Sequence, residues 1–333
     1  MTILALILST NFAMALCELP LMRTDQRPEP EARPTEITVS FIVSDILGVD
    51  DLNQQIEIDF FVRLIWADPR IAKLKGCRFQ RAKVWTPDIY VYNSSNARSR
   101  LEQAREQVVV REDGLISYRQ RLTGRFSSYH NLEEFPFDSQ NFRIVFGPIN
   151  SDASELFFRI DESESWLADR LNLEGWTVDG ISIQSNSNLR EVDGRNVSTV
   201  TLTISATRNA MYYVLRIMVP LSFVVAMSWF IFWVPPTRFE FQIGLGATSM
   251  LTMIAFMLSI SGSLPALGYL TVLDKILIWS ISLVFLSMTE ALISGLLVLT
   301  NREKTALKLD RLSRILAPAL LALGWSLIWH GII

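Results

Sequence analysis

Four apolar runs occupy most of the chain after its midpoint: Tyr212 to Val234, Phe241 to Leu264, Val272 to Leu299 and Leu312 to Ile333. Each is long enough to cross a bilayer core of about 30 Å as a helix rising about 1.5 Å per residue. Hydrocarbon offers no water to backbone amides and carbonyls, so such runs are restricted to structures that satisfy themselves. Charged residues lie mostly before Arg208 and long apolar runs mostly after it. The 333 residues therefore read as a soluble half followed by a membrane half.

The soluble half carries a β pattern from Thr35 to Thr207. Ile56, Ile58, Phe60, Val62 and Leu64 alternate with Glu57, Asp59, Phe61 and Arg63. A period of two describes a strand with one buried face. Val200, Leu202 and Ile204 alternate with Thr201, Thr203 and Ser205 in the same way. Asn186 to Asn196, with Asp193-Gly194 inside it, is rich in turn residues and separates that strand from Val178 to Ile183, which reads as a long hairpin. The expected architecture is an all-β, immunoglobulin-like sandwich over 35–209, followed by an all-α domain of four membrane helices over 210–333.

Ahead of the sandwich, residues 1–15 are apolar and end in Ala13-Met14-Ala15, a small-x-small pattern that suits a secretory signal. Residues 16–34 mix Arg, Pro and Glu and read as a flexible lead-in. With Cys17 in or beside the targeting segment, Cys77 is expected to be unpaired, and neither a disulfide framework nor a cysteine metal site is expected. His130 and His330 make no recognisable ligand pair. A net charge of -3 is too small and too mixed in sign to suggest a nucleic-acid surface. No cofactor is implied.

Two independent signals orient the membrane half. A secreted sandwich puts the start of the first helix outside. Arg238 lies in the connection between the first and second runs, and Arg302, Lys304, Lys308, Arg311 and Arg314 cluster at the connection between the third and fourth, where Asn301 to Asp310 reads as a short loop. The positive-inside rule makes both of those loops cytoplasmic. The uncharged Pro265 to Tyr269 connection and the C-terminus then lie on the side of the sandwich.

The second run has an unusual face. Glu240, Gly244, Thr248, Leu251, Ala255, Leu258 and Gly262 follow one another by three or four positions and share one side of a helix. That face begins with a carboxylate, continues with small and hydroxyl groups, and turns apolar. An acid at a membrane helix end suggests a water-filled path. Small residues for close helix packing are the alternative.

Three motifs complete the pattern: Trp66-Ala67-Asp68, Trp85-Thr86-Pro87-Asp88, and Phe135-Pro136-Phe137-Asp138-Ser139-Gln140. Trp can fill a sandwich core and Pro-Asp can make a turn. Two phenylalanines around a proline are costly on a surface unless something covers them. Together with Val49-Asp50-Asp51, Arg208, Pro220 and Leu264-Pro265, in this order and spacing, these motifs resemble the pentameric ligand-gated ion channels of the Cys-loop receptor superfamily, and their prokaryotic members in particular. In most animal members a disulfide brackets the FPFD loop. Its ends would fall at Ser128 and Phe142 here, so that bond is absent.

The resemblance implies a homopentamer in a lipid bilayer, in the inner membrane of a bacterium, with the second helices lining a pore for monovalent cations. Glu240 would form the selectivity ring and Leu251, Ala255 and Leu258 the apolar gate. Asp51, Phe137, Asp138, Arg208 and Pro265 would couple sandwich to pore, with Asp51 and Asp138 as partners of Arg208. For the agonist site the resemblance points to Phe61, Arg63, Tyr92, Ile149, Arg190 and Glu191. Phe61 and Tyr92 fall at aromatic-cage positions, whereas Pro148-Ile149 and the hairpin tip supply no ring. An amine, a polar or anionic small molecule, and a proton all stay open as the agonist. A binding module with a passive anchor is the alternative, but one helix would serve it and nothing in it requires Glu240. A membrane enzyme finds no support: there is no HExxH, no nucleophile elbow, and Gly244-Leu245-Gly246 lacks both a third glycine and a preceding strand.

Overall fold

The computed structural model describes residues 17–29, 34–96, 98–99, 106–190, 196–261 and 266–331. The signal-like residues 1–15 lie outside them, as do Glu191, Gly262 and Pro265. The described chain forms two stacked sheets followed by four long helices, as expected.

The larger sheet is built on three antiparallel strands, Thr35–Asp50, Gln55–Ala67 and Leu115–Ser127. The alternation read from Ile56 to Leu64 is the burial pattern observed: those five residues are at most 1% exposed. In the smaller sheet Ser139–Pro148 pairs with Asn196–Arg208, which in turn pairs with Trp176–Arg190. Ile183 faces Leu202 across that last pair, so the expected hairpin forms. Between the sheets Phe60 packs edge-on against Phe126 and Phe146 at 5.8 and 5.7 Å. Trp66 packs edge-on against Trp85 at 5.9 Å, which joins two of the sequence motifs in one core.

The expectation for the cysteines is overturned. Cys17 and Cys77 form a disulfide across 60 residues of chain. The segment 17–29 reaches Cys77 because it lies along the sandwich: Leu19 and Met22 pack on the core. Arg70 donates from Nη1 to the carbonyls of Arg23 and Gln26 at 3.1 and 3.2 Å. The buried Asp68 of the WAD motif holds that guanidinium through two bonds of 2.9 and 2.8 Å.

The helices span Met211–Trp233, Phe239–Ser261, Val272–Leu299 and Glu303–Trp329, each long and apolar enough to cross a membrane. The first opens with a wide π turn, Val214–Met218, just before Pro220, where the ring has no N–H to offer. The fourth begins well before its apolar run. The stretch 301–310, read as a loop, is helical from Glu303 because Ala306, Asp310 and Ala317 form a buried face while Lys304, Lys308 and Arg311 face outward. A hydropathy run registers mean apolarity and misses a turn of helix whose exposed side is charged. Gly324 lets the third and fourth helices close up: a Cβ there would sit 2.0 Å from Nε1 of Trp279, whose N–H donates to the Leu320 carbonyl at 3.1 Å.

Candidate domain junction, pore stripe and ligand surface

The sandwich meets the helices at Arg208, the last residue of its final strand. The side chain is 2% exposed and lies between two carboxylates. Nε and Nη2 donate to Asp138 at 2.7 and 3.1 Å, and Nη1 and Nη2 donate to Asp51 at 2.7 and 3.0 Å. The guanidinium also lies 4.1 Å from the Trp176 ring centre and 4.8 Å from that of Phe135. Burial works against its charge, but the bonds to Asp51 and Asp138 prevail and hold its pKa above the usual arginine value. Burial likewise opposes the charge of Asp51, and hydrogen bonds from His130 and Arg208 overcome it, so Asp51 lies below the usual carboxylate range. His130 Nδ1 sits 3.2 Å from Asp51 Oδ1, with the ring fully buried.

The FPFD loop is covered by the helices. Phe135 packs edge-on against Tyr213 of the first helix at 4.8 Å, and Phe137 against Trp329 of the fourth at 4.8 Å. The third helix starts on this loop: Val272 N–H donates to the Glu133 carbonyl at 3.0 Å and Leu273 N–H to that of Phe135 at 3.1 Å. The Tyr269 hydroxyl accepts from the Leu132 amide at 3.0 Å. Of the coupling residues expected from the sequence, Asp51, Phe137, Asp138 and Arg208 meet here. His130, Trp176, Tyr213, Tyr269 and Trp329 join them from five separate places in the chain, and no local pattern announced them.

The second helix is two-faced. Glu240, Gly244, Thr248, Leu251, Ala255 and Leu258 are all exposed on the single chain, with Leu251 at 69% and Leu258 at 70%. Gln242, Gly246, Ser249 and Met253 are buried on the opposite side. Gly246 is small because a Cβ there would sit 3.2 Å from Met288 of the third helix, whereas a Cβ at Gly244 would meet nothing within 4 Å. Small residues on this helix thus have two origins, one in packing and one on the open stripe. The Thr248 hydroxyl donates back to the Gly244 carbonyl at 2.9 Å, which leaves its oxygen free to accept.

The agonist residues fall on two sheets. Phe61 and Arg63 lie on strand Gln55–Ala67 of the larger sheet. Arg121 stacks 5.3 Å from the Phe61 ring and grips Asp59 with bonds of 3.0 and 2.7 Å. Arg63 pairs with Glu164 at 3.1 Å, and its Nε is buried with no acceptor. Tyr92 and Ile149 adjoin the smaller sheet: Tyr92 donates to the Pro148 carbonyl at 2.8 Å, and Ile149 is 45% exposed. Arg190 ends strand Trp176–Arg190, and Glu191 lies outside the described residues. Among the described residues no group of three or more His, Cys, Asp or Glu is placed to hold a metal ion.

A family model for the neurotransmitter-gated ion-channel ligand binding domain matches residues 21–217, more than half of the chain. The proton-gated ion channel of Gloeobacter violaceus is 24% identical over 304 residues, which is 89% of this chain and 83% of that one. The gamma-aminobutyric acid receptor subunit gamma-3 of Homo sapiens is 24% identical over 271 residues, 79% of this chain and 58% of the subunit. The neuronal acetylcholine receptor subunit alpha-9 of Rattus norvegicus is 26% identical over 260 residues, 74% and 53% of the two chains. The chain thus spans little more than half the length of the two animal subunits. At the bracket positions of the FPFD loop it has Ser128 and Phe142 in place of cysteines. With its sandwich, its four apolar helices and this match, the chain belongs to the neurotransmitter-gated ion-channel family, in the form that lacks the loop disulfide.

Proposed function

We propose that five copies of this chain form a cation-selective channel in a bacterial inner membrane, opened from outside by a small molecule or by protons. The observation that carries the reading is the second helix. One side is buried against its own bundle, and the other presents a carboxylate, a hydroxyl and then leucines to open space. A single chain leaves those leucines exposed, and a ring of copies would turn them onto a shared axis. Five Glu240 carboxylates at one mouth would favour cations. The names of the relatives support a gated channel and leave the stimulus open, since one is called proton-gated and others are named for gamma-aminobutyric acid and acetylcholine. On the ligand surface Arg121 beside Phe61 is held by Asp59 and Arg63 by Glu164, so the charges there are balanced and the chemistry of the stimulus stays open.

The test is current recording from the purified protein in lipid while external pH and small carboxylates are varied. A salt gradient reads selectivity in the same experiment. Glu240→Ala should move the reversal potential away from the cation limit, and Glu240→Arg should move it further or abolish current. An unchanged reversal potential in both variants would remove Glu240 as the filter. A detergent-purified mass other than that of five chains would remove the pore itself.

A further inference from the structure

Away from the junction and the stripe, two carboxyl groups lie between the third and fourth helices. Glu290 is 9% exposed and Asp310 1%. Ser294, one turn after Glu290 on the third helix, brings the two together. The Ser294 hydroxyl donates to Asp310 Oδ1 at 2.8 Å. Both Glu290 oxygens and Asp310 Oδ2 are buried with no donor.

Among the described residues no cation answers them. Arg314, one turn along the fourth helix, donates to the Phe232 carbonyl at 2.9 Å and lies over the Trp233 ring. Lys308 and Arg311 beside Asp310 are exposed, as are Arg238 and Glu240 at the same end of the neighbouring elements. Gln242 is the buried polar residue of the second helix here, and its amide is used by the carbonyls of Ile231 and Val234. Among the described residues neither carboxyl has a salt-bridge partner.

Two adjacent carboxylates in such surroundings cannot both carry charge: each would forfeit its hydration and would also repel the other. A proton placed between them removes one charge and supplies the missing donor. The O–H of one carboxyl then donates to an oxygen of the other, and two of the three unpartnered oxygens become a hydrogen-bonded pair. We infer that Glu290 and Asp310 form a proton-binding site that clasps the third helix to the fourth. The site lies at the basic end of the bundle, so its proton exchanges with the side that the positive-inside rule assigns to the cytoplasm. Release of that proton leaves two like charges face to face and loosens the fourth helix. The channel thereby gains a response to internal alkalinity, separate from any external stimulus.

Two measurements on the detergent-purified, full-length protein test this without requiring current. The first is infrared spectroscopy in D2O. Wild type should show the carbonyl stretch of a protonated carboxyl at neutral pH, and Glu290→Gln and Asp310→Asn should each lose it. The second is thermal unfolding across about pH 6 to pH 9. The folded-to-unfolded ratio of wild type should fall by up to about tenfold per pH unit for each proton held only in the folded state. Glu290→Gln, which keeps the shape and has no proton to lose, should flatten that dependence. Superimposable profiles for wild type and both variants would overturn the site. If neither variant assembles, absence of the protonated band in wild type at neutral pH overturns it alone. Stability that follows sodium, potassium or calcium concentration at fixed pH, with no protonated band, would show a metal ion in place of the proton and would also overturn it.

Discussion

Arg208 is the residue whose loss should be felt most. Its guanidinium makes four bonds to two carboxylates and is covered by aromatic rings, so truncation leaves Asp51 and Asp138 facing each other in a closed space. Removing one partner of a buried pair costs about 3–5 kcal/mol. Arg208→Ala should therefore lose surface expression or stimulus response. Arg208→Lys should rescue it incompletely, because an ammonium cannot reproduce two forked contacts. Surface labelling together with dose–response curves separates these outcomes, and wild-type behaviour in Arg208→Ala would dismiss the junction as a coupling element.

Leu251 poses a different question at the same scale. It stands midway along the exposed stripe, between Thr248 and Ala255. Five leucines around an axis would make a narrow apolar ring that water fills reluctantly, since it loses hydrogen bonds and gains none from the wall. Leu251→Ser wets the closed state more than an already wet open state, and the equilibrium shifts toward opening. A differential of about 1.4 kcal/mol is a tenfold change in the open-to-closed ratio. Spontaneous current, or activation at a weaker stimulus with selectivity retained, is the expected result. A Leu251→Ser pentamer that needs an equal or stronger stimulus would mean that Leu251 does not gate.

Among the elements, the N-terminal segment carries a consequence for stability. The Cys17–Cys77 bond closes a loop of 60 residues. On the chain-entropy account such a cross-link is worth about 4 kcal/mol. Cys77→Ser should lower the unfolding midpoint of the oxidised protein, and wild type should match it once reductant is added. A reductant that lowers both equally would show that the bond contributes nothing. This element was not legible in the sequence. A strand betrays itself by a period of two, so Ile56 to Leu64 could be read directly, and Val200 to Ile204 likewise. A cross-link depends on where an aperiodic segment runs, and nothing local records that Leu19 and Met22 rest on the core. The start of the fourth helix was hidden for a related reason, since charge on its outer side masked the buried Ala306 and Asp310. At the junction Arg208, Asp51 and Asp138 stood out as charges at a domain boundary. The rings and the imidazole around them come from places without shared periodicity.

For the whole molecule, the protonation of the junction sets a limit on any acid response. Asp51 in the folded protein lies below its ordinary value of about 3.9. Its contribution to stability is therefore complete at neutral pH and is lost only as pH falls through that depressed value. Arg208, raised above an already high value, keeps its charge throughout. The interface between the two domains should accordingly hold across mild acid and fail only below about pH 4. Unfolding followed against pH should show this loss in wild type and much less of it in Asp51→Asn. An activating response in the mildly acid range would have to originate outside the Asp51–Arg208 pair.

The start of the third helix bears on how force would pass between the two parts of the protein. Its first two amides are held by carbonyls of the FPFD loop, so main chain grips main chain across the boundary. Truncating side chains one by one leaves such a grip intact, and an alanine scan would score these positions as silent. Proline is the substitution that reaches it. At Val272, the first residue of the helix, a proline ring is sterically welcome and removes the donor to Glu133. The preceding Thr271 already has the extended backbone that a following proline demands. Val272→Pro would thus leave the helix standing and cut one strand of its tether, a lesion confined to the transmission of movement.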